Sequence, residues 1–298
     1  MNQLPDRIVH LPIIWRGKRL FSARLRLAVH EAALPDVLAG EAAQALATLP
    51  VPAGADGLLL RCVVDPGWRT RSLRDDSVAF VLSRDVWHYL ALTGRYEDFL
   101  EGRYSAKTRE SYARDEARLL ERCGQALDLR EYREPAQVDE FADHLARLRG
   151  HGTPIGRPVE PVALKATAQR GTLRAFALFA DGEPVAALAL EAQGEVLHYL
   201  CSVEHDDFRQ WSAGTVLHLQ AIRRVFAEPG LRYLDFRPGE CEVKRQFANG
   251  ALRGATVLCL RRTLRHRLLL KLYGWLYATP RSPGAQPVVP DEVRELVA

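Results

Sequence analysis

Residues 172–202 read TLRAFALFADGEPVAALALEAQGEVLHYLCS. Three runs, 172–180, 184–191 and 195–202, are dense in apolar side chains and are separated by Asp181-Gly182 and Gln193-Gly194. Such pairs accept the positive φ that tight hairpins demand, so the spacing predicts an antiparallel meander. The pattern then changes period. After 208–215 (FRQWSAGT), Val216, Leu219, Ile222, Val225 and Phe226 recur at helical spacing, and Pro229-Gly230 ends that helix. A short strand at 233–236, a turn-rich polar stretch at 237–242 and a further strand at 255–260 follow. The order β-β-β-loop-α-β-turn-β predicts an α/β or α+β fold with a mixed, partly antiparallel sheet.

Upstream, 58–64 (LLLRCVV) and 78–82 (VAFVL) read as strands around a helical stretch at 31–49, which Pro50, Pro52 and Gly54 close. Residues 105–123 read as a helix with Ser105 as N-cap, a Glu110/Arg114 pair at i, i+4 and Gly124 as the stop. A second helix spans 136–149, and Gly152, Pro154, Gly156 and Pro158 mark a loop or linker. Near the C-terminus, RRTLRHRLLLKLYGWLY (261–277) is basic, then apolar. It reads as a helix packed on the acyltransferase sheet, the alternative being a peripheral membrane contact.

The chain has 298 residues, 47% of them hydrophobic and 26% charged, which excludes a disordered tail and allows one or two cores. Its start carries Asp6 and Trp15 where a secretory leader needs a basic end and an apolar core, so a cytoplasmic location is expected. Five scattered cysteines without a C-x-x-C pair argue against a disulfide framework and against a metal site. The net charge of +4 hides nine basic and no acidic residues between 243 and 290. An anionic partner or a solvated basic face would both explain that block. The signatures GxxxxGK[ST], GxGxxG, HExxH and GxSxG are absent, so nucleotide hydrolysis, dinucleotide redox, zincin and hydrolase-elbow chemistry lack support.

Chemistry concentrates where the meander meets the helix. A helix N-terminus offers unpaired N–H groups and a positive dipole end, and small residues ahead of it let an anion approach closely. Arg209, Ser212, Ala213, Gly214 and Thr215 have that character, although a plain helix cap uses the same residue types. The polar residues at the neighbouring strand ends are His198, Tyr199, Glu204, His205 and Asp235. His198 alternates with Leu197 and Leu200 and reads more readily as a satisfied histidine than as a base. Asp235 near Lys244 is either an amine-positioning carboxylate or an ion pair. Lys244 and Arg237 either neutralise an anion or belong to the basic face.

These residues resemble the GNAT superfamily of N-acyltransferases. Arg209, Ser212 and Gly214 fall on the R-x-x-G-x-G acyl-CoA pyrophosphate loop, with Ser in place of the first glycine. More closely, the region is similar to the BioF2-like or CelD-like branch. Its DFG-GD-YK--F element is matched by Asp235, Phe236, Gly239, Lys244 and Phe247, while Arg237 and Val243 depart from it. Ser105, Lys107, Arg109 and Arg114 resemble the segment that precedes that domain, so the likeness covers about residues 100–262. It implies two tandem GNAT-like halves: a degenerate N-terminal one (1–100), a helical connection (101–158), the acyltransferase domain (159–262), and a basic C-terminal helix and tail (263–298). The implied chemistry is direct attack of an amine on an acyl donor. Asp235, Lys244, His198 and Tyr199 are the catalytic candidates, and 209–215 hold the donor. Arg237, Glu204, Lys107 and Arg109 face substrate, and a main-chain N–H near 200–203 serves the oxyanion. The implied co-substrate is acyl-CoA or an acyl carrier protein, not a resident cofactor, and the acceptor is a small-molecule or envelope-precursor amine. Two other readings stay open: a Fem-like transferase charged by aminoacyl-tRNA, for which the basic block would meet RNA, and a non-catalytic GNAT-fold binding protein. DNA is not an expected partner.

Overall fold

A computed structural model describes residues 6–15, 18–40, 49–67, 71–122, 128–156 and 158–277. Two units divide the chain: Met1–Trp87 with Pro238–Glu242 and Ala251–Ala298, and His88–Arg237 with Val243–Gly250.

In the first unit β1 (Asp6–Trp15) and β2 (Lys18–Glu31) form a long antiparallel pair, and β3 (Gly57–Val64) adds to β2 in parallel. β12 (Gly250–Arg261) lies antiparallel to β3, and β4 (Arg71–Leu73) pairs with β5 (Ser77–Ala91). Of the stretch expected as a helix over 31–49, the described residues hold α1 (Leu34–Leu38), and residues 41–48 lie outside the described ones. Ahead of that helix β2 runs on to Glu31, with Leu25 and Leu27 buried on one face. The strand expected at 78–82 runs from Ser77 to Ala91, and on it Arg84 meets Asp65 at 2.9 Å. The C-terminal helix α8 (Leu264–Tyr277) packs on strands of this first unit and not on the acyltransferase sheet, burying Leu269, Leu270 and Tyr273 against Leu11, Leu27 and Phe80, because its apolar face meets the apolar faces of β1, β2 and β5. Part of its basic character is structural. Arg261 donates to the carbonyls of Val51, Pro52 and Ala55, and Arg265 to that of Arg24.

The second unit contains the meander. β8 (Leu173–Ala180), β9 (Glu183–Gln193) and β10 (Val196–Glu204) pair antiparallel in sequence order. Asp181 and Gly182 have φ of 52° and 81°, which the hairpin requires. β6 (Asp128–Tyr132) adds to the outside of β8, and β11 (Tyr233–Pro238) runs parallel to β10. The alternation in β8 and β9 divides their side chains between two cores. Phe176, Leu178, Leu188 and Leu190 face one core, shared with α3 (Ala106–Arg122) and α6 (Ala213–Phe226). Ala175, Ala177, Ala187 and Ala189 face the other, under α4 (Val138–Arg149) and α5 (Pro161–Gln169). Small side chains on that face let a helix sit close to the strands, and burial of both faces supplies the main folding force. Ser105 caps α3 as expected, accepting from the Thr108 N–H at 3.2 Å, while Cys123 and Gly124 lie outside the described residues. Residues 152–158, read as a loop, hold a two-residue strand, β7 (Ile155–Gly156), and α2 (Tyr96–Arg103) precedes α3. α7 (Glu242–Phe247) falls within the stretch after β11.

Candidate active site

The site is made by two strands that part. β10 and β11 stay in register for three pairs, Val196↔Tyr233, Leu197↔Leu234 and His198↔Asp235, and go no further together. On its other edge β10 slips against β9 between Tyr199 and Cys201, so Leu200 is a bulge residue. Beyond the parting point β7 takes the edge of β10 opposite β9, with Cys201↔Gly156 and Ser202↔Ile155. Only glycine fits there. Gly156 has φ of +90°, and a Cβ on it would stand 2.3 Å from the Leu200 carbonyl oxygen.

His198 and Asp235 are the last cross-strand pair, and their side chains meet: His198 Nδ1 lies 3.0 Å from Asp235 Oδ2. The Asp235 carboxylate is fully buried, and its Oδ1 accepts the Arg237 N–H at 2.7 Å. Arg237 takes φ of 64° as β11 ends and brings a guanidinium nitrogen to 3.7 Å from Oδ2. The Lys244 ammonium donates to the Arg237 carbonyl at 3.0 Å, tying α7 to this turn. Among the described residues, Asp235 is the one side-chain hydrogen-bond partner of His198, whose side chain is 14% exposed. Among the described residues Nε2 makes no hydrogen bond.

Tyr199 points the other way. Its hydroxyl meets Ser202 Oγ, and His218 Nε2 stands 3.2 Å from it. The His218 Nδ1 lies 2.6 Å from the Gly214 carbonyl, which accepts only, so this nitrogen carries the proton. Burial pushes the His218 pKa down to about 4, partly opposed by that bond. A neutral ring so oriented presents Nε2 as an acceptor, and the Tyr199 proton has two takers. His218 also stacks on Phe247 with ring centroids 5.0 Å apart. His218 and Ser202 were not singled out in the sequence, because they sit in apolar runs whose period reads as core.

The start of α6 is occupied by the chain itself. Ser212 adopts φ of 54° and ψ of 36°, and its side chain makes no cap bond. Ala213 is fully buried, and Thr215 is half-buried. The Gly214 N–H donates to Glu204 Oε1 at 2.7 Å, and Glu204 Cδ and Oε2 lie 3.1 Å from where a Cβ on Gly214 would be. Burial raises the Glu204 pKa, against the Gly214 N–H and Arg209, which lower it. Arg209 itself pairs with Asp206 at 2.9 Å in the 3-10 turn Asp206–Trp211, and His205 caps that turn through Nδ1. At the head of α3, Lys107 is exposed and Arg109 donates to the Tyr104 carbonyl at 2.9 Å. Neither bonds to His198. Among the described residues no group of three or more His, Cys, Asp or Glu is placed to hold a metal ion.

The sequence from 106 to 245 matches the family described as "Acetyltransferase (GNAT) domain". That match places the GNAT likeness on residues 106–245. The protein is accordingly a transferase. The matched stretch contains every candidate residue above, from Lys107 to Lys244. Its fold is shared with "Crystal structure of FemX", which at 9% identity covers 89% of this chain and 90% of its own, with a TM-score of 0.50. The C-terminal domain of a putative lysylphosphatidylglycerol synthetase from Agrobacterium fabrum superposes at a TM-score of 0.48, with 15% identity over 84% of this chain and 82% of that one. No curated protein matches the sequence. Among the described residues, no helix is long and apolar enough to cross a membrane.

Proposed function

We propose that the GNAT domain transfers an acyl or aminoacyl group from a carrier to an amine, with His198 as general base and Asp235 holding its imidazole. The observation that carries this reading is the 3.0 Å His198–Asp235 contact at the last register pair before β10 and β11 separate. A buried carboxylate accepting from Nδ1–H fixes the tautomer in which Nε2 is basic, and it stabilises the imidazolium that follows. The amine nitrogen attacks the donor carbonyl, a C–N bond forms, and the bond from that carbonyl to the carrier oxygen or sulfur breaks. The amine proton passes to Nε2 and then to the departing group. A main-chain N–H at the Leu200 bulge is the candidate oxyanion donor, as bulge residues fall out of ladder pairing. Lys244 and Arg237 hold the turn that carries Asp235.

The likeness of 209–215 to a donor loop supports acyl-CoA or an acyl carrier protein, the fold and Glu204 support a donor without a diphosphate there, and the acceptor is a small-molecule or envelope-precursor amine. The aminoacyl-tRNA reading is favoured by one observation, the Glu204 carboxylate on the Gly214 N–H. The element Asp235, Phe236, Gly239, Lys244 and Phe247 supports a place in the BioF2-like or CelD-like branch. The test offers acetyl-CoA, longer acyl-CoAs, an acyl carrier protein thioester and charged tRNA in turn with a panel of primary amines. Amide product is followed by mass spectrometry. Product with one donor class, lost in His198→Ala, is expected. No product with any donor, or equal yield from His198→Ala, overturns the reading.

A further inference from the structure

The donor-facing end of β10 is closed twice by the chain's own groups. The first closure is Glu204, the last residue of β10, which gives its carboxylate to the Gly214 N–H at 2.7 Å and packs against the first turn of α6. A helix N-terminus is where a phosphate would otherwise find N–H groups and a favourable dipole. The side chain is also pinned at its root. The following N–H groups, of His205 and Asp206, donate to the carbonyls of Val185 and His151 at 2.9 Å each, and a Cβ on Gly152 would stand 1.9 Å from the Glu204 carbonyl oxygen. The second closure is β7, which adds Ile155 and Gly156 to the edge of β10 past its parting from β11. The nearby cation is engaged as well, since Arg209 pairs with Asp206.

We propose that Glu204 is a built-in anion that, together with β7, excludes diphosphate-bearing donors such as acyl-CoA, so that this transferase takes its acyl group from a carrier that places no diphosphate at the start of α6. The proposal rests on the transferase reading above and narrows its donor class. A diphosphate would have to displace a carboxylate already bonded to the helix, or sit beside it against charge repulsion. Removing the carboxylate therefore opens an anion site that the intact chain keeps shut.

The experiment measures binding of CoA and of inorganic pyrophosphate to the full chain by calorimetry, in the wild type, Glu204→Ala and Glu204→Gln. The wild type is expected to show no binding at millimolar ligand. Glu204→Ala is expected to gain affinity by roughly 10- to 150-fold, the equivalent of one charge-assisted hydrogen bond. Glu204→Gln keeps the bond to Gly214 without the charge, and it should gain less; it decides the matter if Glu204→Ala does not fold. Micromolar CoA binding by the wild type overturns the proposal, as does the absence of any gain in the folded variants. Because binding does not need His198, the same gain should appear in the His198→Ala background. A dead transferase thus leaves this result readable, and CoA-driven amide formation by the wild type would sink the exclusion while keeping the transferase.

Discussion

Replacing Asp235 by Asn changes a charge and almost no volume. The Asn carbonyl can still accept the Arg237 N–H, now at 2.7 Å to Oδ1, so the turn after β11 keeps one anchor. The charge-assisted bond to His198 Nδ1 is lost, and hydrogen bonds to charged groups contribute about 1.5–3 kcal/mol. With part of that recovered by the amide, a loss of about 1–2 kcal/mol is expected, or a fall in Tm of about 2–8 °C for a domain of this size. The effect on rate is larger and has a different cause. An amide NH2 facing Nδ1 favours the tautomer with the proton on Nε2, and general-base catalysis is worth about 100- to 10,000-fold. Amine acylation measured below the melting transition should fall by that range in Asp235→Asn, and the double variant with His198→Ala should be no slower than His198→Ala alone, as groups acting in one unit are not additive. A rate within threefold of wild type, or losses that multiply in the double variant, would refute the reasoning.

Gly156→Ala must place a Cβ 2.3 Å from the Leu200 oxygen at φ of +90°, and chemical denaturation should show it about 2–4 kcal/mol less stable; Gly171→Ala, at φ of +70° with nothing within 4 Å, should lose only about 1 kcal/mol. Equal losses would mean that the close packing of β7 on β10 contributes nothing. His218 takes a proton at about 4 in the folded state against 6.5 in the unfolded chain, so its contribution to stability is present above about pH 6.5 and is lost as pH falls towards 4, by up to roughly 3 kcal/mol. His218→Gln should flatten that part of the stability curve between pH 4 and 7, and an unchanged slope would contradict the assignment. Lys244→Ala removes the bond to the Arg237 carbonyl, and steady-state kinetics should show turnover falling by more than the accompanying drop in Tm explains; unaltered turnover would detach α7 from the site.

The meander and α6 were legible because their chemistry is local: hairpin turns at Asp181-Gly182 and Gln193-Gly194, then a change of period at Val216. The strand order around β10 was not, since pairing β10 with β11 and then with β7 depends on contacts far apart in sequence. β7 is two residues between glycines and prolines, which reads as a loop. β2 was hidden by its own outer face, where Arg24 and Arg26 alternate with buried Leu25 and Leu27. His198 and Asp235 were both visible as polar residues at strand ends, but only their register shows that they meet. Glu204 was weighed as a substrate contact, and its reach to Gly214, ten residues on, follows from the fold of the 3-10 turn between them.

The claim on which the account stands is that the free nitrogen of one imidazole removes the amine proton. Its most direct test is the single-turnover rate of amide formation by His198→Ala, with and without added imidazole. A loss of about 100-fold or more is expected below the variant's melting transition, with partial recovery as imidazole is titrated in. A variant that acylates the amine as fast as the wild type would contradict it.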